Sequence, residues 1–106
     1  MQSASELLAD LVARFRPSAA EGLDAVFQLQ LTGNGSGCWH LIVAERQCRL
    51  ATGVAEKPDV IITVSTEDWG EMMGGRLDPF TALASGRLQV EGDLELAMRL
   101  QAVFGF

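Results

Sequence analysis

The sequence predicts an α+β domain in which helices gather on one face of a sheet. Three observations lead there. Apolar residues recur at helical spacing at both ends of the chain. Between them, four consecutive segments suit strands, the first with a clear period of two. Two short, well-capped helical segments then precede a fifth alternating segment. No internal repeat, linker or low-complexity stretch interrupts this order. The 106 residues, 48 % of them hydrophobic, are expected to form a single domain spanning residues 1–106.

Ser3-Ala4-Ser5-Glu6 supplies a helix start, and Leu7, Leu8, Leu11, Val12 and Phe15 follow on one helical stripe. Pro17 stops this helix, and Ser18 to Gly22 has room for one further turn. From Asp24 to Thr32, Ala25, Phe27, Leu29 and Leu31 alternate with Val26, Gln28, Gln30 and Thr32, so one face is apolar. Gly33 to Gly37 is a loop that tolerates positive φ. Cys38 to Ala44 and Gln47 to Thr52 are the next two strands. A two-residue turn at Glu45-Arg46 would set Val43 opposite Cys48, Leu41 opposite Leu50 and Trp39 opposite Thr52. Such turns prefer Asn-Gly or Asp-Gly, so this one is chemically atypical.

Lys57-Pro58-Asp59 bends the chain into a fourth strand, Val60 to Ser65, and the first four strands follow one another in hairpin-like order. Ser65 or Thr66 caps the next helix, where Glu67 and Asp68 favour the positive end of the dipole. Trp69, Met72 and Met73 share one face of it, and Gly74-Gly75 ends it. Asp78-Pro79 then opens a short helix lined by Phe80, Leu83 and Ala84. Arg87 to Glu91 is the fifth strand. Asp93 caps a last helix with the stripe Leu96, Ala97, Leu100, Val103, Phe104 and an outer Glu95–Arg99 pair.

Charge and chemistry narrow the function. Lys and Arg total 8 against 14 Asp and Glu, a net charge of -6. Such a surface repels phosphates, so neither nucleic acid nor an anionic membrane is an expected partner. No apolar run approaches the ~20 residues of a membrane span, so stable membrane insertion is not expected. Glu6 and Asp10 argue against a targeting peptide, and the cytoplasm is the expected compartment. Cys38 and Cys48 are too far apart for a C-x-x-C motif and too few for a zinc site, and are read as buried, inert thiols. His40, the single histidine, falls on the outward strand face with no motif bringing a nucleophile or acid to it. The acids Glu67, Asp68 and Glu71 lack the spacing of a calcium loop. The glycine loop lacks a phosphate-binding lysine. No catalytic group, metal or cofactor is therefore expected.

A resemblance adds to this reading. Asp59-Val60-Ile61-Ile62-Thr63-Val64-Ser65, then Glu67-Asp68-Trp69, then Gly74-Gly75-Arg76-Leu77-Asp78-Pro79, then Arg87-Leu88-Gln89-Val90-Glu91-Gly92-Asp93 follow in order. This succession resembles the sterol-carrier-protein-2-like (sterol-binding domain) family over nearly the whole chain. One departure is Glu45-Arg46, where that family usually shows Asp-Gly or a similar turn. The resemblance implies a five-stranded sheet with helices packed on one face and an apolar tunnel between sheet and helices. From the sheet, Leu29, Leu41, Val43, Ile62, Val64, Leu88 and Val90 would line it. From the helices, Trp69, Met72, Met73, Phe80, Leu83, Leu96, Leu100 and Phe104 would do so.

The implied function is non-catalytic binding and carrying of an apolar lipid, whether fatty acyl, sterol-like or isoprenoid. The alternative is an accessory subunit that presents a lipid intermediate to a partner enzyme, with Phe104 and Phe106 as docking residues; a homodimer is the other protein partner considered. An empty tunnel of ~400 Å³ would cost on the order of 10 kcal/mol at ~24 cal/mol per Å³. That rivals the whole ~5–15 kcal/mol stability of a domain. Such a site is expected to be filled by lipid or to close when free.

Overall fold

A computed structural model of the protein describes residues 4–33 and 37–104. The helix start at Ser3 and most of the glycine loop lie outside them. Helix α1 (Ala4–Ala13) leads through a 3-10 turn at Pro17–Ala20 into strands β1 (Ala25–Thr32), β2 (Gly37–Ala44), β3 (Gln47–Thr52) and β4 (Val60–Ser65). Helices α2 (Thr66–Met73) and α3 (Pro79–Ala84), strand β5 (Leu88–Gly92) and helix α4 (Leu94–Phe104) complete the chain. This is the expected α+β order, with one sheet of five strands.

The strand order is β3-β2-β1-β4-β5, with β1 at the centre. β1 pairs antiparallel with β2 but parallel with β4, Phe27 facing Val60 and Leu31 facing Val64. The hairpin-like succession expected through the fourth strand is thus corrected: it ends at β3, and the chain crosses back to the other side of β1. Parallel neighbours cannot be joined by a tight turn, so a connection must traverse the sheet. Residues 53–59 make it as a strap over the face opposite the helices. The strap is pinned at three points. At its start the Gly53 amide donates to the Cys38 carbonyl at 2.8 Å, and His40 Nδ1 lies 2.9 Å from the Gly53 carbonyl. Midway the Ala55 amide donates to Gln28 Oε1 at 3.1 Å. At its end Asp59 closes a ring on Val26, its amide donating to the Val26 carbonyl at 2.9 Å and its Oδ2 accepting the Val26 amide at 2.8 Å.

The β2–β3 hairpin has the register anticipated from a two-residue turn: Val43 faces Cys48, Leu41 faces Leu50 and Trp39 faces Thr52. Glu45 and Arg46 accordingly adopt φ of 51° and 60°, a left-handed conformation that side chains resist by ~1–2 kcal/mol per residue. Arg46 also forms an exposed 2.8 Å ion pair with Glu21, a contact that contributes only ~0–1 kcal/mol. Replacing Glu45-Arg46 by Asn-Gly is therefore expected to stabilise the domain by about 1 kcal/mol, read as a higher urea midpoint at constant m-value. A lower midpoint would show that the ion pair outweighs the backbone.

The helix ends follow the sequence closely. Ser65 Oγ accepts the Asp68 amide at 3.0 Å, Asp78 Oδ2 accepts the Thr81 amide at 3.0 Å, and Asp93 Oδ1 accepts the Glu95 amide at 2.9 Å. At the other end of α2, Arg14 reaches from the end of α1 and donates to the Met73 carbonyl, tying the two helices together. The Glu95–Arg99 pair does not form. Arg99 instead donates to the Glu21 carbonyl at 3.2 Å, which docks α4 on the loop before β1. A backbone acceptor from a neighbouring segment outcompetes an exposed i,i+4 carboxylate, whose attraction is only ~0.2–0.5 kcal/mol.

Candidate functional site

The registers place one alternating set of apolar residues, drawn from all five strands, on one face. Leu29 lies beside Trp39 and Ile62, Phe27 beside Leu41 and Val60, and Ile62 beside Val90. Helix α2 packs on β1 and β4, and α4 on β4 and β5, so both cover this face. Trp69, Met72 and Met73 are 1–5 % exposed on α2, and Leu100 and Phe104 are 4 % and 0 % exposed on α4. On the sheet, Leu29, Leu41, Val43, Ile62 and Val64 are equally buried, and Leu88 is only slightly less so. The structure thus brings these residues into one apolar layer between sheet and helices, while Val90 and Leu96 are half-buried at its border.

Two of the expected lining residues lie elsewhere. Phe80 and Leu83 on α3 are 54 % and 43 % exposed, and Ala84 is exposed as well. The expectation that they face inward is corrected: α3 turns Ala82 to the sheet instead, fully buried. The small side chain lets the helix come close to β5, and the Ala82 carbonyl accepts the Arg87 amide at 2.9 Å. A six-residue helix with apolar residues around its circumference has no stripe to announce this choice. Phe104 likewise is no docking residue, since it is fully buried with its ring 5.6 Å from that of Phe15. Phe106 lies outside the described residues.

Sequence reasoning left out several members of the layer. Phe27, Leu31 and Val60 are fully or almost fully buried on the sheet side, as are Leu8, Leu11 and Val103 on the helices. Strand alternation and the stripes of α1 and α4 contained that signal, since Phe27, Leu31, Val60 and Val103 share a face with expected lining residues and Leu8 and Leu11 lie on the apolar stripe of α1.

Cys48, His40 and Glu71 have structural surroundings. Cys38 is on the strap side of the sheet and Cys48 under the helices, so the two thiols cannot meet, and neither is fully buried. Burial pushes the Cys48 thiol up to about 11, which keeps it protonated and unreactive near neutrality. His40 anchors the strap through the Gly53 carbonyl, which requires a proton on Nδ1. Glu71 is engaged by Arg76 at 2.7 Å. A cleft of about 350 Å³ opens between Glu21, Leu23, Asp24, Glu45 and Arg46. Its rim of Glu21, Asp24, Glu45 and Arg46 is charged and unsuited to a lipid chain. No described helix is long and apolar enough to cross a membrane.

Comparison with known proteins points the same way as this geometry. Hydroxysteroid dehydrogenase-like protein 2 of Rattus norvegicus is 33 % identical over 78 residues, which are 73 % of this chain and 15 % of that protein. The chain therefore spans less than a fifth of the length of that relative. The solution structure of palmitated SCP2L2 from Aedes aegypti superposes with a TM-score of 0.76 at 29 % identity, covering 99 % of this chain and 96 % of that one. A double mutant of the sec-alkyl sulfatase PisA1 has the same fold over 97 % of this chain and 16 % of its own, with a TM-score of 0.86 at 16 % identity. The model of the SCP-2 sterol transfer family matches residues 6–105. An uninterrupted apolar sheet face roofed by amphipathic helices, with the family pattern running almost end to end, makes this chain a member of the SCP-2 sterol transfer family.

Proposed function

We propose that the protein binds and carries an apolar lipid between the sheet and the helices, a fatty acyl chain being the first candidate, and that it does so without catalysis. The observation that carries this reading is the apolar layer itself. Trp69, Met72 and Met73 lie against Leu29, Ile62 and Val64 with no ionisable group among them. Burial of apolar area would supply the affinity, and the flexible thioethers of Met72 and Met73 can refit around ligands of different shape. The palmitated state of the Aedes aegypti SCP2L2 supports the acyl class.

Titrating delipidated protein with a fluorescent fatty acid is expected to give saturable binding and a raised melting temperature. Met73→Trp tests the location. If the layer holds space for lipid beside α2, the larger ring occupies it, so uptake falls at least tenfold while lipid-free stability holds or rises. In an ordinary core the same change overpacks and costs ~1–3 kcal/mol with uptake intact. Absence of binding to acyl, sterol and isoprenoid probes alike would remove the carrier reading.

A second reading has one specific observation behind it. The matching segment makes up a small part of a relative named as dehydrogenase-like, which suits a domain that presents a lipid to an attached or separate enzyme.

A further inference from the structure

Among the described residues, most large exposed apolar side chains flank the edge strand β5. Among the described residues the exposed large hydrophobics are Val54, Phe80, Leu83, Leu94 and Met98. All but Val54 lie on α3 and α4, the two helices that pack on the edge strand β5. Leu94 and Met98 are both 59 % exposed and stand one turn apart on α4, while Phe80 and Leu83 do the same on α3. Cover over the apolar layer is also incomplete at this edge. Val90 on β5 is half-buried, whereas its neighbours inward, Ile62 and Leu29, are 4 % and 0 % exposed.

We infer that α3 and α4 form a docking surface for an uncharged phospholipid bilayer, through which lipid passes at the β5 edge; the inference rests on the carrier reading above. Two arguments select this occupant. The first is size. At about half of ~200 Å² each, the pair on each helix offers roughly 200 Å² and the two pairs together roughly 400 Å². That is half of the ~800 Å² per partner that a stable protein interface buries, yet enough for shallow, reversible seating at a membrane surface. The second is charge. With a net charge of -6 the chain is repelled by anionic lipid and meets no such penalty at phosphatidylcholine. A transient contact is what a carrier needs, since it must also leave.

The experiment is co-sedimentation of the full chain with phosphatidylcholine vesicles, alongside vesicles containing a third phosphatidylserine. The protein is expected to sediment with the former and several-fold less with the latter. Leu94→Gln/Met98→Gln and, separately, Phe80→Gln should each lower vesicle binding about tenfold, as loss of one or two half-exposed apolar contacts implies. Both variants should melt like the parent. The Leu94→Gln/Met98→Gln protein should still take up soluble fatty acid within twofold of the parent, while its transfer of that lipid to vesicles slows about tenfold. Vesicle binding that is absent, or indifferent to both substitutions, overturns the inference. So does a dimer in light scattering that either substitution dissolves, because the occupant would then be a second copy. If the parent sediments with vesicles in the expected way yet takes up no lipid from solution, docking stands and the carrier reading falls.

Discussion

Gly92→Ala is expected to destabilise the domain by about 3–5 kcal/mol, the largest effect of any single methyl group considered for this chain. Gly92 ends β5 at φ 105°, outside the range that side chains accept, and a Cβ there would stand 2.3 Å from the Asp59 carbonyl oxygen. Strain at such a φ costs ~1–3 kcal/mol, and forcing backbone apart in a packed region adds a similar amount. The obstacle cannot swing aside, because Asp59 is bound to Val26 on both sides and its carbonyl accepts the Asp93 amide at 3.2 Å. Gly86→Ala is the matched control. It too has a positive φ, 80°, but nothing lies within 4 Å of its added Cβ, so only the strain should register. Urea unfolding of the two variants separates the contributions. A Gly92→Ala loss no greater than that of Gly86→Ala would mean that β5 can shift away from β4 at little cost.

Trp69→Ala should cost the lipid-free protein ~3–5 kcal/mol, as truncation of a fully buried large side chain does. Trp69 is 1 % exposed at the centre of the layer. The more telling quantity is how that deficit responds to ligand. If acyl chains lie against α2, they can occupy the vacated volume, and saturating fatty acid should restore more stability to the variant than to the parent. Apolar cavities of this kind stay dry and accept apolar guests readily. Equal stabilisation of parent and variant would place the lipid elsewhere, leaving Trp69 a core residue without contact to ligand.

Much of the fold was legible because its determinants are local. Ser65, Asp78 and Asp93 announce helix starts through their own side chains. The spacing across Glu45-Arg46 fixed a register even though the residues are wrong for the turn, because both flanking strands have an apolar face to keep buried. Pairing across the sheet was not legible. Alternation assigns each residue a face, but it says nothing of which strand lies next door, so the parallel partnership of β1 with β4 escaped. Gln28 escaped for a related reason. It sits on the polar phase of β1, yet it is 3 % exposed, since the strap lies over it and the Ala55 amide needs its oxygen. The layer at the candidate site was legible wherever a stripe was long. It failed at α3, where Phe80, Ala82 and Leu83 compete within six residues and the smallest of them won the inward position.

The strap also dictates an order of assembly. While a ribosome has released only β1 to β3, these strands can already form a meander, because their pairings need nothing downstream. Its centre is nevertheless unfinished: β1 must keep one edge vacant until Val60 arrives to pair with Phe27, 33 positions later in the sequence. Pairings of that separation are slow, since loop closure must precede any gain from contact. Until then the free edge of β1 is open to strands of other nascent chains. Gln28 and Gln30 lie along that strand, and in the finished sheet Gln30 Oε1 accepts the Thr63 hydroxyl at 3.1 Å. β1 carries neither a charged residue nor a proline, so that edge has none of the usual guards until β4 pairs with it.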